Sequence, residues 1–176
     1  MARNMCYKVN DMVMYGTAGV CRITEISEQS FCGRGGRYYI LQPVYDNRST
    51  VFVPVDNEAL TTKMHRILSA EEIYDLIRDM PDTDTIWTDN EEVRREKYKE
   101  ILKGGNRRDL IRMIKTLYTR QQALLQNGKK KLRATDERFL KEAERVLHEE
   151  FAHVLNIQRD QVLPFILEQI SVESKM

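Results

Sequence analysis

The chain has 176 residues and no stretch of 18 consecutive apolar ones, so no membrane span is expected. Its start, MARNMCYKVNDM, lacks the apolar run of a signal peptide, and a cytoplasmic protein is the simplest reading. Cysteine is scarce: Cys6, Cys21 and Cys32 are odd in number, 15 and 11 residues apart, and form no CxxC pair. Zinc and redox chemistry therefore have little support. His65, His148 and His153 are the only histidines. The run from His148 to His153 resembles a zincin HExxH motif but is one residue too long. Histidines five apart on a helix point about 140° from each other and cannot share a metal. A glycine cluster, Gly33-Arg34-Gly35-Gly36, lacks the following helix and the Lys-Ser/Thr pair of a phosphate loop, and reads as a hairpin turn. No nucleophile–base pair or convergent carboxylates stand out either, so nothing favours an enzyme, a bound cofactor or a small-molecule substrate.

An excess of one charge is also missing overall. Lys and Arg total 28, Asp and Glu 27, for a net charge of +1. The balance hides an internal division. Residues 1–63 carry 7 basic and 6 acidic side chains, and residues 64–90 carry 2 and 7. Residues 91–145 carry 17 and 9, and residues 146–176 carry 2 and 5. Such asymmetry points to a polyanion-facing segment inside an otherwise balanced protein.

What is present divides into two kinds of pattern. Met12–Tyr15, Val20–Ile26, Arg37–Gln42 and Ser49–Val55 are short runs of β-branched and aromatic residues, separated by turn material at 16–19, 33–36 and 46–47. Four or five strands in about sixty residues predict a small, strongly bent antiparallel sheet or barrel of the SH3/Tudor kind. From Ser69 onward the period is helical. Ser69 and Glu72 form a capping-box signature ahead of Ile73, Leu76, Ile77 and Met80, and Pro81 ends that helix. Further helices are expected over Glu91–Lys103, Arg107–Gln126, a 20-residue segment capped by Thr135, and Asp160–Ile170. The expectation is an α+β chain: a β-domain over 1–63, then an all-helical domain of about four or five helices over 64–176.

The strongest functional signal is electrostatic. Fourteen Lys/Arg lie between Arg94 and Arg133, including Arg94, Arg95, Lys97, Lys99, Lys115, Arg120, Lys129 and Lys130. Basic residues give affinity for phosphates with little sequence information, because contact releases condensed counterions. The only tryptophan, Trp87, stands in a polar connector immediately before this segment and is expected to be exposed. An aromatic beside cations can stack on an unpaired base. The same features also fit a solvated helix face and a tryptophan that packs helices together.

Several blocks of the chain resemble one known family. They are Tyr7–Gly16 with Gly19-Val20, Val51–Val55, Trp87, Arg94–Glu100, Leu110–Tyr118 and Ala134–Leu140. In this order they are similar to the bacterial CarD/CdnL RNA-polymerase-binding transcription regulators, over roughly residues 6–157. The resemblance implies a Tudor-like N-terminal domain that docks on the RNA polymerase β subunit. It also implies a helical domain contacting promoter DNA at the upstream edge of the melted bubble. Trp87 corresponds to the family's wedge tryptophan, and Arg94, Arg95, Lys97 and Lys99 to its neighbouring basic helix. Docking would use Thr50, Val51, Phe52 and Val53, where a strand edge offers unpaired backbone groups. Some members place arginines at positions aligned to Gln29 and Phe52, for which Arg48 or Arg22 are the available substitutes. A cytoplasmic, nucleoid-associated regulator of promoter opening with no membrane partner is the expectation. The alternative is an interaction adaptor whose helical domain binds a protein rather than DNA.

Overall fold

The alternation of apolar residues in the first sixty positions builds one sheet. In a computed structural model, described here for residues 6–128 and 131–173, five antiparallel strands pair in the order β4-β3-β2-β1-β5. They are β1 (Met12–Tyr15), β2 (Val20–Phe31), β3 (Arg34–Pro43), β4 (Val51–Pro54) and β5 (Met64–Arg66), with a one-turn helix α1 (Glu58–Thr61) before the last. Inward positions repeat every second residue, and Val13, Cys21, Ile23, Tyr39, Leu41, Val53 and Met64 form the core. Burying each larger member contributes roughly 1.5–3 kcal/mol. A register shift between Ile23 and Glu25 bends β2.

The β2–β3 hairpin is longer than its apolar runs suggest. Its turn is Cys32-Gly33, with φ of 51° and 77°, the left-handed pair that a two-residue hairpin turn demands. The expected turn over 33–36 is thus shortened, and Gly35 and Gly36 lie within β3. β5 went unanticipated. It pairs with β1 through Val13–Arg66, Met14–His65 and Tyr15–Met64, and Tyr7 donates its hydroxyl proton to the Met64 carbonyl at 2.9 Å. The first compact unit therefore runs to Ile67, and the boundary expected after residue 63 falls inside it.

The second unit, from Leu68, contains α2 (Ala70–Asp79), α3 (Glu91–Gly104), α4 (Arg107–Gln126), α5 (Ala134–Leu155) and α6 (Arg159–Glu173). The chain is thus α+β, with a strand-built unit followed by five α-helices among the described residues. Local chemistry starts most of them. Ser69 and Glu72 form a complete capping box, and Asn90 and Asn106 accept the backbone N–H of Val93 and Asp109. Helix α5 differs: it begins at Ala134 with no side-chain cap, so Thr135, expected as the N-cap, lies inside the first turn. Tyr98, Leu102, Leu110, Ile111, Met113, Leu117, Leu140, Val146, Leu147 and Phe151 supply much of the helical core.

Two buried ion pairs tie α5 to its neighbours. Arg107 of α4 meets Glu150 at 2.7 Å, and Glu150, only 1% exposed, also accepts the Leu68 backbone N–H. Arg94 of α3 meets Asp136 at 2.8 Å. Among the described residues no helix is long and apolar enough to cross a membrane, and no group of His, Cys, Asp or Glu is arranged to hold a metal.

Candidate functional site

In the strand-built unit the residues singled out from the sequence lie along one edge of the sheet, because β4 pairs only with β3. Thr50 is exposed just before the strand, and Val51 is half-buried. Phe52 points outward at 39% exposure. Val53 is fully buried in the core, so its side chain is out of a partner's reach and only its backbone belongs to the edge. Arg48 lies in a loop that Asp46 organises, accepting the Arg48 backbone N–H at 3.0 Å and the Ser49 hydroxyl at 2.6 Å. Its guanidinium is exposed, as is that of Arg22.

One feature of this edge escaped the sequence reading. Phe31, at the tip of the hairpin, packs edge-to-face on Tyr38 and Phe52, with centroids 5.2 and 5.1 Å away. The sheet edge thus presents an aromatic cluster. Phe31 is 43% exposed, so the cluster faces solvent beside the open strand edge.

In the helical unit the site is the connector between α2 and α3. Its course is set by helix side chains. The Lys115 ammonium of α4 donates to the carbonyls of Met80, Pro81 and Thr83 at 3.1, 2.8 and 2.6 Å. The Ile86 backbone N–H donates to the Thr116 hydroxyl at 2.9 Å, and Arg94 donates from Nη1 to the Thr88 carbonyl at 2.8 Å. Trp87 is thereby anchored on both flanks. Its indole Nε1–H donates to Asp89 Oδ1 at 2.8 Å, which fixes the rotation of the ring.

Trp87 is half-buried, not exposed as expected, and two guanidiniums lie over its ring: Arg94 at 4.2 Å and Arg120 at 4.8 Å from the centroid. Arg94 is itself only 3% exposed. Its Nε and Nη2 donate to the two carboxylate oxygens of Asp136 at 3.0 and 2.8 Å. Those hydrogen bonds hold its pKa above the ordinary guanidinium value. Arg94, expected to face phosphate, is instead buried, with Nε, Nη1 and Nη2 each donating to an acceptor inside the protein. Tyr98, one turn on and fully buried, has its phenol pushed up to about 12, first by burial and then by Asp136.

The other predicted cations do not form one face. Arg95 and Lys99 are exposed and share a flank of α3, but Lys97 lies about 160° around the axis from Arg95 at roughly 100° per residue. Arg95 pairs with Glu91 at 3.4 Å and Lys99 with Glu96 at 3.2 Å. Both pairs are solvent-exposed, so each contributes little and leaves its cation open to a stronger anion. Lys115 is withdrawn from the surface set by its three carbonyls. Lys129 and Lys130 lie outside the described residues. His148 and His153 are half-buried on α5, and burial lowers the His148 pKa.

Sequence reasoning missed the roles of Asp136, Asp89 and Thr116, and it counted Arg120 among the basic residues without placing it over Trp87. Arg94 carried a readable signal, since it falls in phase with Tyr98 and Leu102 on the buried stripe of α3. The long-range partners carried none.

Residues 7–68 match the family model described as CarD-like/TRCF RID domain. No curated protein matches the chain. The matched segment coincides closely with the strand-built unit ending at Ile67, and the family is one of interaction domains, not catalysts. The first unit is accordingly similar to CarD-like RNA-polymerase-interacting domains, consistent with a CarD/CdnL-like protein, and the match does not extend into the helical unit beyond Leu68.

Proposed function

We propose that the chain is a non-enzymatic transcription regulator that docks on the RNA polymerase β subunit and favours the open state of promoter DNA. The open edge of β4 offers unpaired backbone groups at Thr50–Val53 for an extended segment of the β subunit, with Phe52 and Arg48 beside it. Docking raises the concentration of the covalently joined helical unit near promoter DNA. Trp87 then stacks where base pairs have separated at the upstream fork, and Arg95, Lys99 and Arg120 hold nearby phosphates.

The observation that carries this reading is the pre-set indole. Trp87 is braced by Asp89, Thr116 and the buried, Asp136-paired Arg94, yet remains partly open to solvent. A factor shifts an equilibrium only by binding one state better than the other. Phosphate contacts made in closed and open promoters alike add affinity without opening. Stacking on an unpaired base is available only in the open state. At roughly 1–3 kcal/mol per base, a middle value of about 2 kcal/mol shifts the populations about 30-fold.

Trp87→Ala tests this directly. The variant is expected to bind polymerase as well as the parent and to shorten the lifetime of the open complex by an order of magnitude. An unchanged lifetime removes the stacking role.

A further inference from the structure

The two guanidiniums over Trp87 differ in kind. Arg94 is buried and forked onto Asp136, with its remaining Nη on the Thr88 carbonyl. Moving it would leave Asp136, itself 5% exposed, as an uncompensated buried charge. Arg120 comes from α4, is exposed, and makes no hydrogen bond or ion pair among the described residues. Its guanidinium lies over the indole, 4.8 Å from the ring centroid. An exposed guanidinium over a ring is held weakly, whereas a phosphate binds the same group through charge-assisted and often bidentate hydrogen bonds.

We propose that Arg120 is an exchangeable cover on Trp87. An unpaired nucleobase takes its place against the indole, and the released guanidinium moves to a phosphate of the same strand. Arg94 stays behind as the fixed support. The exchange rests on the DNA-stacking reading above and adds a residue that senses strand separation. Fully paired DNA supplies phosphate but no base to occupy the ring, so only a melted strand satisfies both the indole and Arg120. The ligand class is a single-stranded nucleotide segment, base and phosphate together.

Trp87 is the only tryptophan among eight tyrosines, so fluorescence excited at the red edge, beyond tyrosine absorption, reports on this ring alone. The full chain, Arg120→Gln and Arg120→Lys are compared by acrylamide quenching, free and with a forked or a fully paired duplex of equal length. Circular dichroism checks that the exposed substitutions leave the helices intact. In the free protein both variants are expected to raise quenching, because neither side chain covers the ring with a planar cation. The forked duplex, and not the paired one, is expected to shield Trp87 to the same final level in all three proteins. The log–log salt slope of fork binding is expected to become shallower by about 0.7 in Arg120→Gln, the value of one single-strand phosphate, and to return in Arg120→Lys.

Quenching of the free variants equal to that of the parent would show that Arg120 covers nothing. An unchanged salt slope in Arg120→Gln would show that the guanidinium does not reach phosphate. Either result overturns the exchange while leaving stacking in place. If the forked duplex fails to shield Trp87 in the unsubstituted chain, the stacking reading falls and the exchange falls with it.

Discussion

Arg94 and Arg95 are neighbours of the same type, and their fates differ completely. A step of 100° around α3 turns one into the core beside Tyr98 and leaves the other in solvent. The buried member works through geometry. Its fork on Asp136 holds the guanidinium against the Trp87 ring, and its Nη1 ties the backbone that follows the indole. Asp136→Asn leaves the guanidinium charged, buried and half-paired, and is expected to destabilise the helical unit by about 3–5 kcal/mol. Replacing both partners by apolar residues, Arg94→Met with Asp136→Leu, is expected to recover much of that loss, since no unpaired charge remains. Denaturant titrations followed by far-ultraviolet circular dichroism give the comparison. A single variant as stable as the parent would show that the pair does not brace the unit. The sequence made the cationic cluster and the lone tryptophan visible, because composition and position suffice for those. It hid which cations reach solvent, because Asp136 lies 42 residues from Arg94 and nothing local announces the pairing.

Elements became legible where their ends carry their own chemistry. The Ser69–Glu72 box and the Asn127-Gly128 stop are local devices, and the helices they bound lie where periodicity predicts. Helix α5 has no side-chain cap, and its start was misplaced by a residue or two because tertiary packing sets it. β5 is the instructive omission. Three residues are too short for alternation to register, and the strand exists because β1 offers it a free edge. Its Met64 is 3% exposed and closes the core of the small unit. Domains of about sixty residues bury little surface and are only marginally stable. Loss of one buried methionine costs roughly 2–5 kcal/mol. A fragment of residues 1–67 is therefore expected to unfold cooperatively, and one of residues 1–63 to lack a cooperative transition. Equal thermal midpoints for the two would mean that β5 is dispensable. If the longer fragment alone captures polymerase, the open β4 edge becomes the place to substitute next.

At the scale of the whole molecule the near-zero net charge matters more than the count of basic residues. With 28 cations against 27 anions, long-range attraction to DNA is weak, and affinity must come from cations that are locally uncompensated. The fold removes several candidates. Arg94 and Arg107 are committed to buried carboxylates and Lys115 to three carbonyls. On α3 and α4, Arg95, Lys97, Lys99, Lys103, Arg108 and Arg120 remain exposed, and setting aside Lys97 on the other side of α3 and Arg108 paired with Asp79 leaves four. About four phosphate contacts imply a log–log salt slope near −3.6, and hence a fall on the order of 100-fold in affinity between 50 and 200 mM salt. A surface that used every basic residue of the segment would fall far more steeply. Fluorescence titration of forked DNA over that range therefore counts the cations that the fold has left available. A flat response would favour the adaptor reading, in which the mixed charges of the helical unit meet a protein. A slope near −3.6 would tie DNA affinity to the few side chains around Trp87, where opening is decided.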